Sequence, residues 1–317
     1  MNKDTSTCIP NLFVAGVPKA GSTSLYRWLS DHPAIGASSE RELRYLMDTD
    51  DPLARRGGFH QNGTAGYSRF YRDRIGEKGI RYLIDVSPQY YYQETARNFI
   101  PALPDRKVLM ILRKPSRRLY SLYKYALNNI GALPAEMGFP AFVEHLHQGR
   151  RSGILGGKRM LEDALNHSNY MPYMREWAEA IGKDDFKIVL FENLVSSPHA
   201  VTVEIAQFLG INPEFYAGYS FQPENASIIV RSRSFHRLSR KYKGLVPAIM
   251  RRVLKPVYLA VNSRSKIPLT DADRRALETL DQHFRDSEKA LADWLQRDTP
   301  FWGLDKMDTA GNPLRNP

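Results

Sequence analysis

The stretch from Leu12 to Leu29 constrains this chain more than any other. Leu12-Phe13-Val14-Ala15-Gly16-Val17 is a short apolar run without polar alternation, the pattern of a strand buried on both faces. Pro18-Lys19-Ala20-Gly21-Ser22-Thr23-Ser24 follows at once, and Leu25, Trp28 and Leu29 then recur at helical spacing up to Asp31-His32-Pro33. Strand, glycine turn and helix in immediate succession point to a parallel α/β sheet. At such a corner the backbone N–H groups of the turn and the helix N-terminus form a cradle for an anion.

The same rhythm continues. Ala34-Ile35-Gly36 reads as a short strand, and residues 48–79 as an irregular polar insertion. Arg81 to Val86 and Lys107 to Leu112 are further apolar strands, followed by helices over 93–100 and 117–129. A helix over 171–181, a strand over 187–191 and a helix from His199 to Leu209, stopped by Gly210, complete the alternation. Beyond about residue 220 the strand signals end, and Asp271 to Gln296 reads as one amphipathic helix opened by Thr270. The expected fold is α/β: a P-loop-type three-layer sandwich with a central parallel sheet of about five strands, flanked by helices. We expect a single domain over 1–317, with an α/β core over 11–222 and a basic, mainly helical part over 223–317.

Charge is unevenly placed. The net charge is +11, and the segment from Arg231 to Lys266 holds eleven Lys and Arg and no acid, so the rest of the chain is balanced. Such a block is suited to an anionic partner: nucleotide phosphate, acidic glycan or lipid surface. No base-reading motif accompanies it, which argues against nucleic acid. One cysteine, Cys8, excludes an internal disulfide and a cysteine zinc cluster. No apolar leader and no run of some 18 apolar residues is visible, so the expected setting is cytoplasmic, with the basic flank able to lie on an anionic membrane face.

The turn after the first strand can be compared with the nucleotide-triphosphatase pattern GxxxxGK[ST]. Gly16, Gly21 and Thr23 fit it, but Ser22 stands in the lysine position and the cation is moved to Lys19. Pro18-Lys19-Ala20-Gly21-Ser22-Thr23-Ser24 resembles the 5′-phosphosulfate loop of sulfotransferases that use 3′-phosphoadenosine 5′-phosphosulfate (PAPS). Arg113-Lys114-Pro115-Ser116-Arg117-Arg118-Leu119-Tyr120-Ser121 is similar to the family's second motif, a strand-ending Arg with Ser eight residues on. The resemblance runs over roughly 11–210. Arg41-Glu42-Leu43-Arg44-Tyr45-Leu46 and Asp85-Val86-Ser87-Pro88-Gln89-Tyr90-Tyr91 look like stretches of the branch containing glycosaminoglycan sulfotransferases and their bacterial relatives.

That resemblance implies a PAPS-dependent sulfotransferase acting on a hydroxyl, less readily an amine, of a carbohydrate or glycolipid, with adenosine 3′,5′-bisphosphate (PAP) as product and no metal. It implies Lys19 and Asp85 as catalytic residues, Asp85 being the general base. Pro18, Lys19, Ala20, Gly21, Ser22, Thr23 and Ser24 would hold the 5′-phosphosulfate, and Arg113 and Ser121 the 3′-phosphate. Arg231 and Arg233 would reach the 3′-phosphate or adenine side, and Arg44 an acidic acceptor. His32, His60 and His167 are alternative bases, but each reads better as a surface or capping histidine, because none follows a strand. Two other readings compete: a phosphate-loop kinase using ATP and Mg²⁺, with Asp85 at the metal, and a non-catalytic polyanion binder working through the basic segment alone.

Overall fold

The computed structural model describes residues 8–74, 77–222, 229–230, 263–264, 269–296 and 302. Five strands form one parallel sheet: β1 (Leu12–Gly16), β2 (Ile35–Ala37), β3 (Tyr82–Val86), β4 (Lys107–Leu112) and β5 (Phe186–Leu190), in the order β2-β3-β1-β4-β5. β1 lies at the centre, with Leu12 opposite both Ile84 and Lys107. Its five residues are all buried, as an unalternating apolar run requires when helices cover both faces.

The helices named below are α1 (Ser22–Ser30), α2 (Glu94–Phe99), α3 (Pro115–Tyr125), α4 (Phe139–Gln148), α5 (Tyr170–Ile181), α6 (Phe191–Ser196), α7 (Pro198–Leu209) and α8 (Asp271–Trp294). α3 begins at Pro115, where the missing N–H costs nothing, and passes into a π turn over Ala126–Ile130. α7 stops at Gly210, whose φ of 61° suits glycine. α8 opens on a capping box: Thr270 Oγ1 accepts from the Asp273 N–H, and Asp273 Oδ2 accepts from the Thr270 N–H.

The α/β expectation with five parallel strands holds, and the C-terminal helix is present. The sequence reading passed over α4 and α6. α4 places Phe139, Phe142, Val143 and Leu146 inward, a helical period that was there to be read. β6 (Ile229–Val230) and β7 (Ser263–Arg264) pair antiparallel beyond residue 220, where no strand was expected. Two-residue strands are too short to show a period. Residues 48–79 are irregular as expected, held by short helical turns over Phe59–Asn62, Thr64–Phe70 and Arg72–Arg74. Among the described residues no helix is long and apolar enough to cross a membrane.

One apolar cluster spans the sheet and its helices, and a second joins α3 and α4 to Leu277, Leu280 and Phe284 of α8. Trp177 of α5 is fully buried in the first, and its indole N–H donates to the Tyr91 carbonyl at 2.9 Å. Trp177→Ala leaves a large cavity and an unmet carbonyl. It is expected to lower the unfolding free energy by about 3–5 kcal/mol in urea titration.

Candidate functional site

The sheet order makes one place special. From β1 the chain leaves toward β2, and from β4 it leaves toward β5, so the connections diverge between two adjacent strands. In open α/β sheets ligands bind in the crevice at such a switch point, beyond the carboxyl ends of the strands. The turn carrying Lys19 follows β1, and Arg113 follows β4.

The two are joined directly: Arg113 Nη1 donates to the Lys19 carbonyl at 3.1 Å. The turn is bent to allow this. Lys19 and Gly21 have φ of 73° and 88°. At Gly21 a Cβ would stand 2.9 Å from Phe191 Cδ2, so conformation and space both require glycine. Phe191 also lies 4.3 Å beneath the Arg113 guanidinium. Pro18, Ala20 and Ser22 are buried, whereas Gly21, Thr23 and Ser24 are half-buried. α1 opens at Gly21 with no side-chain cap, which leaves its first N–H groups for an anion.

Ser121 lies buried on α3, one turn before Tyr125 and on the same face. The Tyr125 ring meets the Lys19 ammonium at 4.0 Å, so that face of α3 reaches the turn. Lys19, Gly21, Arg113 and Ser121 thus gather at one sheet edge. Arg231 and Arg233 lie outside the described residues.

The charges there are poorly compensated. Burial, with Arg113, Lys124 and Arg41 nearby, lowers the Lys19 pKa to about 8, and only Glu42 opposes this. Burial brings Arg113 down to about 10 against the pull of Glu192. Arg113 Nε is buried with no hydrogen-bond partner among the described residues. Two depressed cations, an orphaned guanidinium N–H and an uncapped helix start are the donor set that a phosphate-bearing ligand would satisfy.

Asp85 has surroundings different from those of an open catalytic carboxylate. It is 0% exposed. Its Oδ1 accepts from Ser87 Oγ at 2.7 Å, and its Oδ2 from the hydroxyls of Tyr90 at 3.0 Å and Tyr67 at 3.4 Å. Burial raises its pKa to about 6, although all three hydrogen bonds favour the charged form. Ser87 Oγ in turn accepts from the Arg44 N–H, and the Tyr90 hydroxyl accepts from the N–H groups of Tyr45 and Leu46. Asp85 is therefore the buried anchor of the loop 41–46.

That loop is strained: Glu42 and Arg44 have φ of 57° and 48°, rare for residues with a Cβ. Glu42 is half-buried, pairs with Arg44 Nη2 at 2.7 Å, and is the one carboxylate raising the Lys19 pKa. Arg44, expected at the acceptor, is thus engaged by Glu42. Sequence reading singled out neither Glu42, Tyr125 nor Phe191; only the spacing of Tyr125 from Ser121 signalled any of them.

The histidines divide as their packing dictates. His32 caps a turn, its Nδ1 accepting from the Ala34 N–H and its Nε2 facing the Asn212 carbonyl. His60 is exposed and bonded to Thr95. His167 is neither surface nor cap: it is buried, stacked on Tyr92 at 4.0 Å, and lowered to a pKa of about 3 by burial and by Arg118 and Arg159.

Residues 10–253 match the family described as the sulfotransferase domain. The chain belongs to the sulfotransferase family. It is 27% identical over 212 residues to the human bifunctional heparan sulfate N-deacetylase/N-sulfotransferase 3, covering 66% of this chain and 23% of that one. It is 22% identical over 311 residues to rat carbohydrate sulfotransferase 15, covering 83% of this chain and 54% of that one. The chain thus spans between a quarter and about half the length of these curated relatives. The sulfotransferase from Alicyclobacillus acidocaldarius shares the fold, with a TM-score of 0.63 at 20% identity, over 93% of this chain and 99% of that one. Family membership favours a sulfotransferase over the phosphate-loop kinase.

The depressed Lys19 pKa has a measurable sign. The ammonium attracts an anion and the free amine does not, so PAP affinity is expected to fall as pH rises through about 8. In calorimetry across that range, Lys19→Ala should bind weakly throughout and lack this decline.

Proposed function

We propose that this sulfotransferase moves the sulfuryl group of PAPS in line to a hydroxyl, less readily an amine, of a carbohydrate or glycolipid acceptor. One observation carries the reading: two cations from adjacent strand ends, Lys19 and Arg113, converge on an uncapped helix start and are bonded through the Lys19 carbonyl. The resemblance of both motifs to the PAPS loops supports the choice of donor. The donor supplies the sulfuryl group and a good leaving phosphate.

The protein's own residues do the rest. Backbone N–H groups and hydroxyls of residues 21–24 hold the 5′ phosphate. Lys19 offsets the charge that develops on the leaving oxygen, and such preorganised electrostatics supply much of a transfer enzyme's rate. Arg113 and Ser121 take the 3′-phosphate, with Arg113 Nε as the unused donor. The basic segment from Arg231, with Arg233, adds charge on the cofactor, an anionic acceptor or an anionic membrane face in the cytoplasm.

A carboxylate must take the acceptor proton, and it must be within reach of it. Glu42 is half-buried beside Lys19, and we assign it this role, with Arg44 holding it in place. Asp85, fully enclosed by three hydroxyls, holds the Glu42 loop in its strained form. The second reading keeps Asp85 as the base, with the proton passing through Ser87.

Transfer of radiolabelled sulfate from PAPS to a panel of glycans separates them. Lys19→Ala is expected to lower kcat by about 10²–10³-fold. Glu42→Gln should lower kcat by about 10²-fold or more with PAP affinity unchanged. Near-parental turnover in Glu42→Gln, with loss in both Asp85→Asn and Ser87→Ala, would assign the proton to Asp85. No transfer to any acceptor and no PAPS binding would sink the function itself.

A further inference from the structure

Lys114 directly follows Arg113 and is 2% exposed. A lysine is seldom buried so completely without a specific partner. Here Lys114 Nζ meets Asp281 Oδ2 of α8 at 2.6 Å, across 167 positions of sequence. The Lys114 backbone is held as well. Its N–H donates to Glu192 Oε1 at 3.2 Å, and its carbonyl accepts from the Arg118 N–H in the first turn of α3. The Arg113 carbonyl accepts from the Tyr170 hydroxyl at 2.8 Å. The pair Arg113–Lys114 is therefore fixed at once by the phosphate turn, α5, α6 and α8.

The Lys114 ammonium is buried while the Asp281 carboxylate is half-buried, and such a pair is a poor device for stability alone, because the cost of taking the ammonium out of water offsets much of the attraction. It does fix one geometry. We infer that the Lys114–Asp281 pair is a positioning device that holds Arg113 for the 3′-phosphate, which makes the C-terminal helix a working part of the donor site; this rests on the donor reading given above. The mechanism is local. Without the Asp281 carboxylate, the Lys114 ammonium is left buried beside Glu192 and Glu288, whose Oε2 and Oε1 have no partner among the described residues. In turning to these carboxylates the ammonium draws Glu192 away from the Lys114 N–H. The first turn of α3 and the guanidinium before it then lose their fixed position.

The test compares PAP with adenosine 5′-monophosphate by calorimetry on the full chain, because only the former carries a 3′-phosphate. Asp281→Asn is expected to weaken PAP binding roughly tenfold and leave the monophosphate nearly unchanged, the size of a typical coupling between sites. The double variant Lys114→Met with Asp281→Leu should restore most of the preference, since an apolar pair refills the contact. An unchanged preference in Asp281→Asn, with only a lower Tm, would make the pair merely structural and overturn the inference. A double variant that stays weak would show that Lys114 itself binds the phosphate, which also overturns it.

Should Asp281→Asn not fold, hydrogen exchange on the parent decides. PAP must slow exchange over 277–288 more than the monophosphate does, and equal exchange contradicts the coupling. Arg113→Ala keeps the two levels apart. A parent without 3′-phosphate preference, or an Arg113→Ala variant that retains it, defeats the donor reading and the inference with it. A normal parent and Arg113→Ala, beside an unaffected Asp281→Asn, defeats the inference alone.

Discussion

The hydrogen bond from Arg113 to the Lys19 carbonyl joins the ends of β1 and β4 where the sheet's connections diverge. Much of the site depends on it. It braces a turn whose backbone at Lys19 and Gly21 is left-handed, and it places the guanidinium over Phe191, the same ring that leaves no room for a side chain at Gly21. Burial is the main reason why Lys19 and Arg113 are both depressed, and the Arg113 charge adds to it at Lys19. The surrounding core makes the arrangement tolerable. β1 and β4 are buried nearly throughout and cannot yield to the repulsion.

On the other side of β1 a different solution is used. Asp85 sits opposite Phe13 in the sheet and is shut off from water, yet it is encircled by hydroxyl donors. Those hydroxyls hold three consecutive backbone N–H groups of the loop that carries Glu42 and Arg44. A buried carboxylate thus orders a strained loop, through intermediates, that carries a half-buried one beside Lys19. Supports of this kind are often what a functional site needs to hold its reacting groups in place.

The fold was legible because its signals are local. Apolar runs such as Lys107 to Leu112 and helical spacings such as Leu25, Trp28 and Leu29 need no knowledge of the rest of the chain. The gathering of Lys19, Gly21, Arg113 and Ser121 was legible from the resemblance of the two motifs and from their places at or after strand ends. What escaped depends on side chains meeting across long separations. Nothing in Asp85 or its neighbours reveals that Tyr67 and Tyr90 will close over it. Nothing in Glu42 reveals a left-handed backbone, which is decided by the N–H groups that its loop must satisfy. The partnership of Lys114 with Asp281 is beyond any spacing rule, and His167 is buried rather than a surface or capping residue because the rings of Tyr91, Tyr92 and Tyr173 pack against it.

The central claim is that the crevice between β1 and β4 reads a nucleotide through its 3′-phosphate as well as its 5′ end. The most direct measurement is calorimetric binding of PAP against ATP with Mg²⁺, for the parent and for Arg113→Ala. Tight, metal-independent binding of PAP that is lost with Arg113 is the expected result. Preference for ATP with Mg²⁺, indifferent to the 3′-phosphate and to Arg113, would contradict it.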